Sequence, residues 1–170
     1  MPTEPLAYGL LRSAEHSAWH MESRDSYTPD DSDWLDWKAG RFFDPAERWA
    51  GWSNLVRAAV RRGVAVHRIR IVSEPVSDYI RFEYDVTAAH NLAAGEQVRW
   101  LPRQEGASLL IPCSDFWLFD SQVVLWNHFA GNGSWVREEQ SSDPALAKTC
   151  ASSFGAAWER AIPHQVYRVT

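Results

Sequence analysis

The feature that most constrains the fold is a helix that passes directly into a strand through one glycine. Apolar side chains recur at three- and four-residue spacing over Ala46–Arg62, which is the pattern of a helix with one buried face. Gly63 can adopt the left-handed backbone that ends a helix, and residues 64–72 are rich in the β-branched side chains of a buried strand. We therefore predict an α/β fold with Trp52 and Val56 in its core.

The rest of the chain also predicts alternating helices and strands. Residues 79–86 satisfy both helical and strand periodicity, and the capping residues Ser77 and Asp78 favour a helix. A hydrophobic hairpin is predicted over residues 115–129, and a last helix after Asp143. Together these elements indicate a mixed sheet with flanking helices.

A chain of 170 residues is long enough to bury one core, so we predict a single compact domain over residues 1–170. Its N-terminal segment, residues 1–43, is expected to form a helix, a strand and an acidic loop. We expect this segment to pack on an α/β core that residues 44–170 form.

Composition argues against several classes of protein. There is no apolar run of ~18 residues, so a membrane-spanning helix is not expected. The two cysteines stand far apart, without the spacing of a metal or redox motif, which favours reduced thiols and a cytoplasmic protein. Because the sequence contains no GxGxxG, no P-loop and no zinc-type histidine spacing, we expect no cofactor and no metal.

The net charge of −5 argues against binding to nucleic acid, because phosphate backbones are bound by basic surfaces. One local cluster argues the other way, since six basic side chains fall between positions 57 and 70. The alternative interpretation is that the first three of them form a solvated helix face. The six are Arg57, Arg61, Arg62, His67, Arg68 and Arg70.

Three segments of the chain resemble a family of actinobacterial proteins that is known as a domain of unknown function. They are residues 68–83, which contain Ser-Glu-Pro-Val-Ser-Asp-Tyr-Ile-Arg-Phe-Glu, residues 93–103, and residues 115–120, which read Asp-Phe-Trp-Leu-Phe-Asp. Residues 21–27 also resemble the family pattern Leu-Glu-x-Arg-Asp-x-Tyr. Members are often encoded beside helix-turn-helix regulators, so the resemblance implies such a regulator as a candidate partner.

The chain also resembles one half of the phospholipase D fold, in its helix, the following Arg-Arg-Gly-Val-x-Val strand, the late hairpin and the closing helix. That superfamily carries His-x-Lys-x4-Asp before a hydrophobic strand. Placing the aspartate on Asp120 puts Asp115 in the lysine position and Cys113 in the histidine position. The resemblance therefore implies a half domain without the histidine nucleophile and the phosphate-binding lysine, so phosphodiesterase activity is not expected.

In the phospholipase D fold two such halves pair across the active site, so the resemblance implies a homodimer. The alternative is a monomer, in which the extra N-terminal segment covers the face that a second half would otherwise cover. Neither arrangement implies a membrane as partner.

Candidate ligand-binding residues surround the predicted proline turn, because open α/β sheets bind ligands at the carboxyl ends of their strands. The charged set around this turn can share one polar pocket with the N-terminal motif and the hairpin. The alternative is a network of salt bridges that ties the N-terminal segment to the core. The candidate residues are Arg24, Asp25, Tyr27, Glu74, Asp78, Tyr79, Arg81, Asp115 and His128, and Glu83 belongs to the same charged set.

Two functions follow as hypotheses. The first is a non-catalytic ligand-binding or regulatory module that works with a partner protein, because the catalytic pair of the phospholipase D resemblance is missing. The alternative is a small-molecule tailoring enzyme of a natural-product or similar pathway, with its polar pocket around Glu74, Asp78, Arg81 and Asp115.

The sequence also suggests roles for three side chains of the hairpin region. Asp115 is expected to be a functional carboxylate that faces Arg81 or Arg24. Asp120 is expected to be a structural carboxylate that accepts hydrogen bonds from turn amides. Cys113 is either a small apolar side chain before a buried strand or a nucleophile activated by His128.

Overall fold

The computed structural model describes residues 4–170, which form one mixed sheet with helices on both of its faces. Its strands are β1 Ser17–Glu22, β2 Ala65–Val72, β3 Gln97–Pro102, β4 Asp115–Phe119, β5 Val123–Phe129, β6 Trp135–Ser141 and β7 Ile162–Pro163. Its helices are α1 Leu6–Ser13, α2 Ser32–Lys38, α3 Pro45–Arg48, α4 Ala50–Arg61, α5 Asp78–His90 and α6 Pro144–Arg160, with a 3-10 turn at Leu92–Ala94. No helix in this described range is long and apolar enough to cross a membrane.

The strand order is β6-β5-β4-β1-β2-β3-β7. The central strands β1, β2 and β3 run parallel, and each outer strand is antiparallel to its neighbour. Gly63 links α4 to β2 with a φ of 92°, which is the left-handed turn that the sequence predicts. The predicted mixed α/β sheet with flanking helices is therefore confirmed.

The N-terminal part of the chain supplies the centre of the sheet. β1 pairs with β2 on one side and with β4 on the other, so the expectation that residues 1–43 pack on a separate core of residues 44–170 is wrong for this strand. The physical reason is that β1 is apolar on both faces. Ala18 packs in the core on one side of the sheet, and Met21 packs in the core on the other.

Two helical layers bury the two faces of the sheet. On one face, Phe154 of α6 packs against Ile69 and Leu118. On the other face, α1 and α4 cover the half of the sheet where the strands β1 and β2 begin, and Leu11 and Val56 are fully buried there. The helix α5 stands over the half where these two strands end, and the candidate site lies beneath it.

The predicted helix 46–62 is interrupted at Trp49, which separates α3 from α4. The Trp49 indole N–H donates to Asp33 at 2.6 Å, and its ring packs against Phe43 and Phe82. Asp33 and Phe82 lie far from Trp49 in sequence, so the helical spacing could not show the interruption. Trp52 is half-buried rather than buried, because it lines a cleft that opens beside α4 and α5.

The packing of the sheet predicts a clear contrast between two leucines. Leu118 is fully buried in β4, whereas Leu110 is 91% exposed. We expect Leu118→Ala to lower the free energy of unfolding by about 2–5 kcal/mol, because it leaves a cavity. Leu110→Ala should change it by less than ~0.5 kcal/mol. Urea denaturation measures both, and equal losses would contradict the assignment of the core.

Candidate functional site

The sheet face beneath α5 changes from apolar to charged along β1 and β2. The two strands are parallel with His20 beside Arg68 and Glu22 beside Arg70, and alternate side chains of a strand share one face. The apolar Ala18 and Val66 precede these residues on the same face, within the core. We call this charged half, together with the two carboxylates that reach it from α5 and from the segment before β3, the charged floor. Its residues are all buried: His20, Glu22, Arg68, Arg70, Glu83, Glu96 and Asp115.

Two arginines organise the charged floor. Arg68 donates from Nη1 to Glu22 Oε1 and from Nε to Glu96 Oε1 at 2.6 Å. Arg70 donates from Nε to Glu22 Oε2 at 2.8 Å and from Nη1 to Thr87 Oγ1 at 2.5 Å. Burial alone would raise the pKa of Glu22, but the two guanidinium groups hold it well below its usual range.

The other two carboxyl groups of the charged floor lack such a strong cationic partner. Glu83 reaches the floor from α5, where its Oε2 lies 3.4 Å from Arg70 Nε. Burial raises the pKa of Glu83 to about 7, against the opposing effect of Arg70. Asp115 accepts hydrogen bonds from the Tyr27 hydroxyl and from Ser23, whose amide is at 2.9 Å, and burial still raises its pKa. Four carboxyl groups therefore share two arginines.

A cleft of about 480 Å³ opens above the charged floor, between α3 and α4 on one side and α5 on the other. We call it the aromatic cleft, because rings form its walls. Its volume lies in the range of small-molecule binding pockets. The walls are formed by Tyr8, Trp49, Trp52, Tyr79 and Phe82, and Arg70, Glu83, His90 and Asn91 lie at its base.

Two buried oxygen atoms at the base of the aromatic cleft define its polar character. Within residues 4–170, neither Glu83 Oε2 nor Asn91 Oδ1 has a hydrogen-bond partner. The orientation of the Asn91 amide is fixed, because its Nδ2 donates at 2.7 Å to Glu96 Oε2, which can only accept. We call these two oxygens the open acceptors. Burying acceptors in this way costs free energy unless a ligand or water supplies donors.

The structure brings three of the predicted site residues together. The Tyr27 hydroxyl donates to Asp115, and the Tyr27 ring lies 5.9 Å from that of Tyr79, which lines the aromatic cleft. Asp115 faces Tyr27 and Ser23 rather than Arg24 or Arg81, so that part of the expectation is wrong.

The residues of the proline turn serve other contacts. Asp25 accepts from the amide and hydroxyl of Ser73 at 2.7 and 2.6 Å, Glu74 accepts from the Tyr167 hydroxyl at 2.7 Å, and Arg81 donates to the Thr170 carbonyl at 3.3 Å. Asp78 is exposed at the start of α5. The predicted single pocket around this turn is therefore not formed. The alternative of a network that joins distant segments describes these contacts better.

The remaining predicted residues lie toward the β5–β6 side. Arg24 stacks over Phe129 and donates to the Ala130 carbonyl at 3.4 Å. His128 pairs with Glu139 at 3.0 Å on the outer strands, and Cys113 is exposed in the loop before β4.

Arg68 and Arg70, and the carboxylates Glu22 and Glu96 that bind them, were not among the predicted site residues. Arg68 and Arg70 belong to the basic cluster in the sequence, but both side chains point into the interior and pair with carboxylates, so the cluster does not form one basic surface. Two arginines at alternate positions of a β-branched strand are the signal that could have revealed this site.

Asp120 has the structural role that its sequence position suggests, although its donors come from elsewhere. Its carboxylate accepts from the amides of Glu15, His16 and Ser17 at 3.0, 2.7 and 2.9 Å. These amides connect α1 to β1. Asp120 therefore fixes the entry of the central strand into the sheet.

The sequence as a whole identifies the family. The family model described as "Domain of unknown function (DUF6879)" matches residues 7–169. The chain belongs to this family. No curated protein sequence matches it.

Solved structures similar to this DUF6879 domain include the phospholipase D family member Nuc from Salmonella typhimurium, which is 17% identical with a TM-score of 0.52 over 96% of this chain and 89% of Nuc. NucT from Helicobacter pylori is 10% identical, with a TM-score of 0.54 over 93% of this chain and 88% of NucT. TrmBL2, an archaeal chromatin protein with a novel mode of DNA binding, is 11% identical, with a TM-score of 0.50 over 92% of this chain and 48% of TrmBL2. These likenesses show that the fold is phospholipase D-like.

The raised pKa of Glu83 in this DUF6879 domain predicts a pH-dependent stability. Between pH 4.5, near its ordinary pKa, and pH 7, folded Glu83 holds a proton that the unfolded chain releases, so stability falls as pH rises through this window. Glu83→Gln removes the charge. We expect it to raise the free energy of unfolding at pH 8 by on the order of 1–3 kcal/mol, with little gain at pH 4.5.

Urea denaturation at the two pH values measures this difference. Glu105→Gln on an exposed turn is the matched control and should have almost no effect at either pH. A Glu83→Gln variant that loses stability at pH 8 would show instead that the ion pair with Arg70 outweighs the cost of burial.

Proposed function

We propose that this DUF6879 domain is a non-catalytic module that binds a small organic molecule in the aromatic cleft. The observation that carries the proposal is the pair of open acceptors at the base of a cleft with aromatic walls. Binding pockets typically combine apolar walls with a few convergent polar atoms that fix the orientation of the ligand. A protein interior that served only stability would pair or remove such acceptors.

The positions that resemble the phospholipase D motif support a non-catalytic role. Asp115, in the lysine position, is 3% exposed and is held by Tyr27 and Ser23. Cys113, in the histidine position, is an exposed loop residue. A carboxylate in place of a cation would repel a phosphate at this end of the sheet, and Asp120 is engaged with backbone amides.

A small-molecule tailoring enzyme is the second candidate function, and one observation favours it. Glu83 has a pKa of about 7 and lines the aromatic cleft, which are properties of a general base. This version of the hypothesis replaces the proline-turn residues with Glu83. It requires a bound substrate whose acidic proton lies at Glu83 Oε2.

A regulatory role would require a partner protein. The sequence resemblance suggests a helix-turn-helix regulator in the cytoplasm, and the fold resemblance suggests a second copy of this chain. The edge strand β6 supports a protein contact, because Trp135 and Val136 are about half exposed on it. Ligand binding in the aromatic cleft would then alter the affinity for that partner.

A fragment titration tests whether the aromatic cleft binds small molecules. We expect aromatic fragments to shift the indole N–H signals of Trp49 and Trp52 in the NMR spectrum of the labelled protein. The signals of Trp126 and Trp158, which pack against the core on the α6 face of the sheet, should stay in place.

Substitutions of two glycines by phenylalanine, one in the aromatic cleft and one outside it, give matched variants for this test. Gly51 lines the aromatic cleft and an added Cβ would meet nothing within 4 Å, so Gly51→Phe should fill the cleft and abolish the shifts. Gly155→Phe on the exposed face of α6, where an added Cβ also meets nothing within 4 Å, should leave them unchanged. Equal binding to both variants would remove the aromatic cleft as the site.

A further inference from the structure

We propose that the ligand of the aromatic cleft is a planar aromatic cation with at least two N–H donors, such as an aryl amidinium, and that Glu83 Oε2 and Asn91 Oδ1 receive them. This inference rests on the proposed function and adds the chemical class of the ligand. The geometry of the open acceptors, the balance of charge and the walls of the cleft each contribute one part of it.

The open acceptors determine that the ligand must donate. Glu83 is 8% exposed and Asn91 is 2% exposed, and both line the aromatic cleft. Asn91 cannot turn its amide to offer a donor, because its Nδ2 is held by the Glu96 carboxylate at 2.7 Å. An ionised Glu83 can only accept. A ligand that presents acceptors at this place would leave both oxygens unsatisfied and would repel them.

The balance of charge determines that the donor group is cationic. Arg68 and Arg70 are bound by Glu22 and Glu96, and Glu83 Oε2 only approaches Arg70 Nε, at 3.4 Å, so Glu83 is the carboxylate in excess at the base of the cleft. At the rim, Arg48 is neutralised by Asp33 and Asp36, each at 2.8 Å. The arginines that line the cleft are already paired, so they would not attract an anionic ligand. A cation would neutralise the excess negative charge of the charged floor.

The walls determine the shape of the ligand. Aromatic residues line the cleft, among them Trp49, Trp52, Tyr79 and Phe82. Planar apolar groups stack favourably on such rings, and a cation near their faces gains further electrostatic stabilisation. A metal ion is a poorer occupant, because residues 4–170 contain no group of three or more His, Cys, Asp or Glu side chains arranged to hold one.

Binding of a cation should depend on pH through Glu83. The groups that face it are Arg68 and Arg70 from β2, Glu22 from β1, Asp115 from β4, and the hydroxyls of Tyr27 and Tyr79. Burial raises the pKa of both tyrosines, and burial lowers the pKa of nearby His90 to about 4, so these groups stay neutral around pH 7. Because the cation favours ionised Glu83, its affinity should rise by about tenfold from pH 6 to pH 8.

Three probes of the same shape test the inference: benzamidine, benzamide and benzoate. They differ in charge and in donors, and benzamidine keeps its charge over this pH range. We expect benzamidine to bind most tightly at pH 8, benzamide at least about tenfold more weakly, and benzoate most weakly. Titration calorimetry gives the affinities, and the Trp49 and Trp52 indole signals report the place of binding.

Glu83→Gln separates charge from shape, since it keeps the size of the side chain. We expect it to lower the affinity for benzamidine by about tenfold or more and to abolish the pH dependence of that affinity. The affinity for benzamide should change little. Glu47→Gln, an exposed change of the same charge on α3, should leave all three affinities unchanged.

The outcomes distinguish the two proposals. If benzamide or benzoate shifts the Trp49 and Trp52 signals as strongly as benzamidine, or if Glu83→Gln keeps the benzamidine affinity, the aromatic cleft is a binding site but the cationic class is wrong. If none of the three probes shifts these signals, the proposed binding function fails together with the inference.

Discussion

The structure depends on the way two buried arginines of β2 are neutralised. Arg68 and Arg70 follow one another on one face of a central strand, and isolated charges at such a depth would be prohibitively costly. Glu22 of β1 binds both of them, and this fixes the register of the two parallel strands. A slip of one residue would turn the arginines into the apolar layer under α6, so the ion pairs and the hydrophobic core specify the same arrangement.

The same arginines position the elements above the sheet. Arg70 binds Thr87 and approaches Glu83, both on α5, and Arg68 binds Glu96 in the connection that leads to β3. The charged floor is therefore a joint between the sheet and α5 as well as the base of the aromatic cleft. The charged floor has more carboxyl groups than arginines. A contact that served only stability does not need this excess of negative charge, whereas a recognition site can use it.

Much of the fold could be predicted, because its signals are local. The passage from α4 through Gly63 into β2, the cap at Ser77 and the hairpin β4–β5 all follow from spacing within short segments. The site depends instead on contacts between distant segments. The sequence predicts Glu74 to be a pocket residue beside a proline turn. In the structure it accepts a hydrogen bond from Tyr167, a distant residue that no local pattern reveals as its partner. Glu83 shows its role only when α5 is placed over β2.

The central position of β1 in the sheet also constrains the order in which the protein can fold. Its partners are residues 65–70 on one side and 116–119 on the other, so the middle of the sheet closes only after β4 has been synthesised. Sheets built from such distant pairings form slowly, because loop entropy is lost before the contacts are gained. Until β4 has been synthesised, one edge of the apolar strand β1 stays unpaired, and unpaired apolar strands are prone to association with other chains.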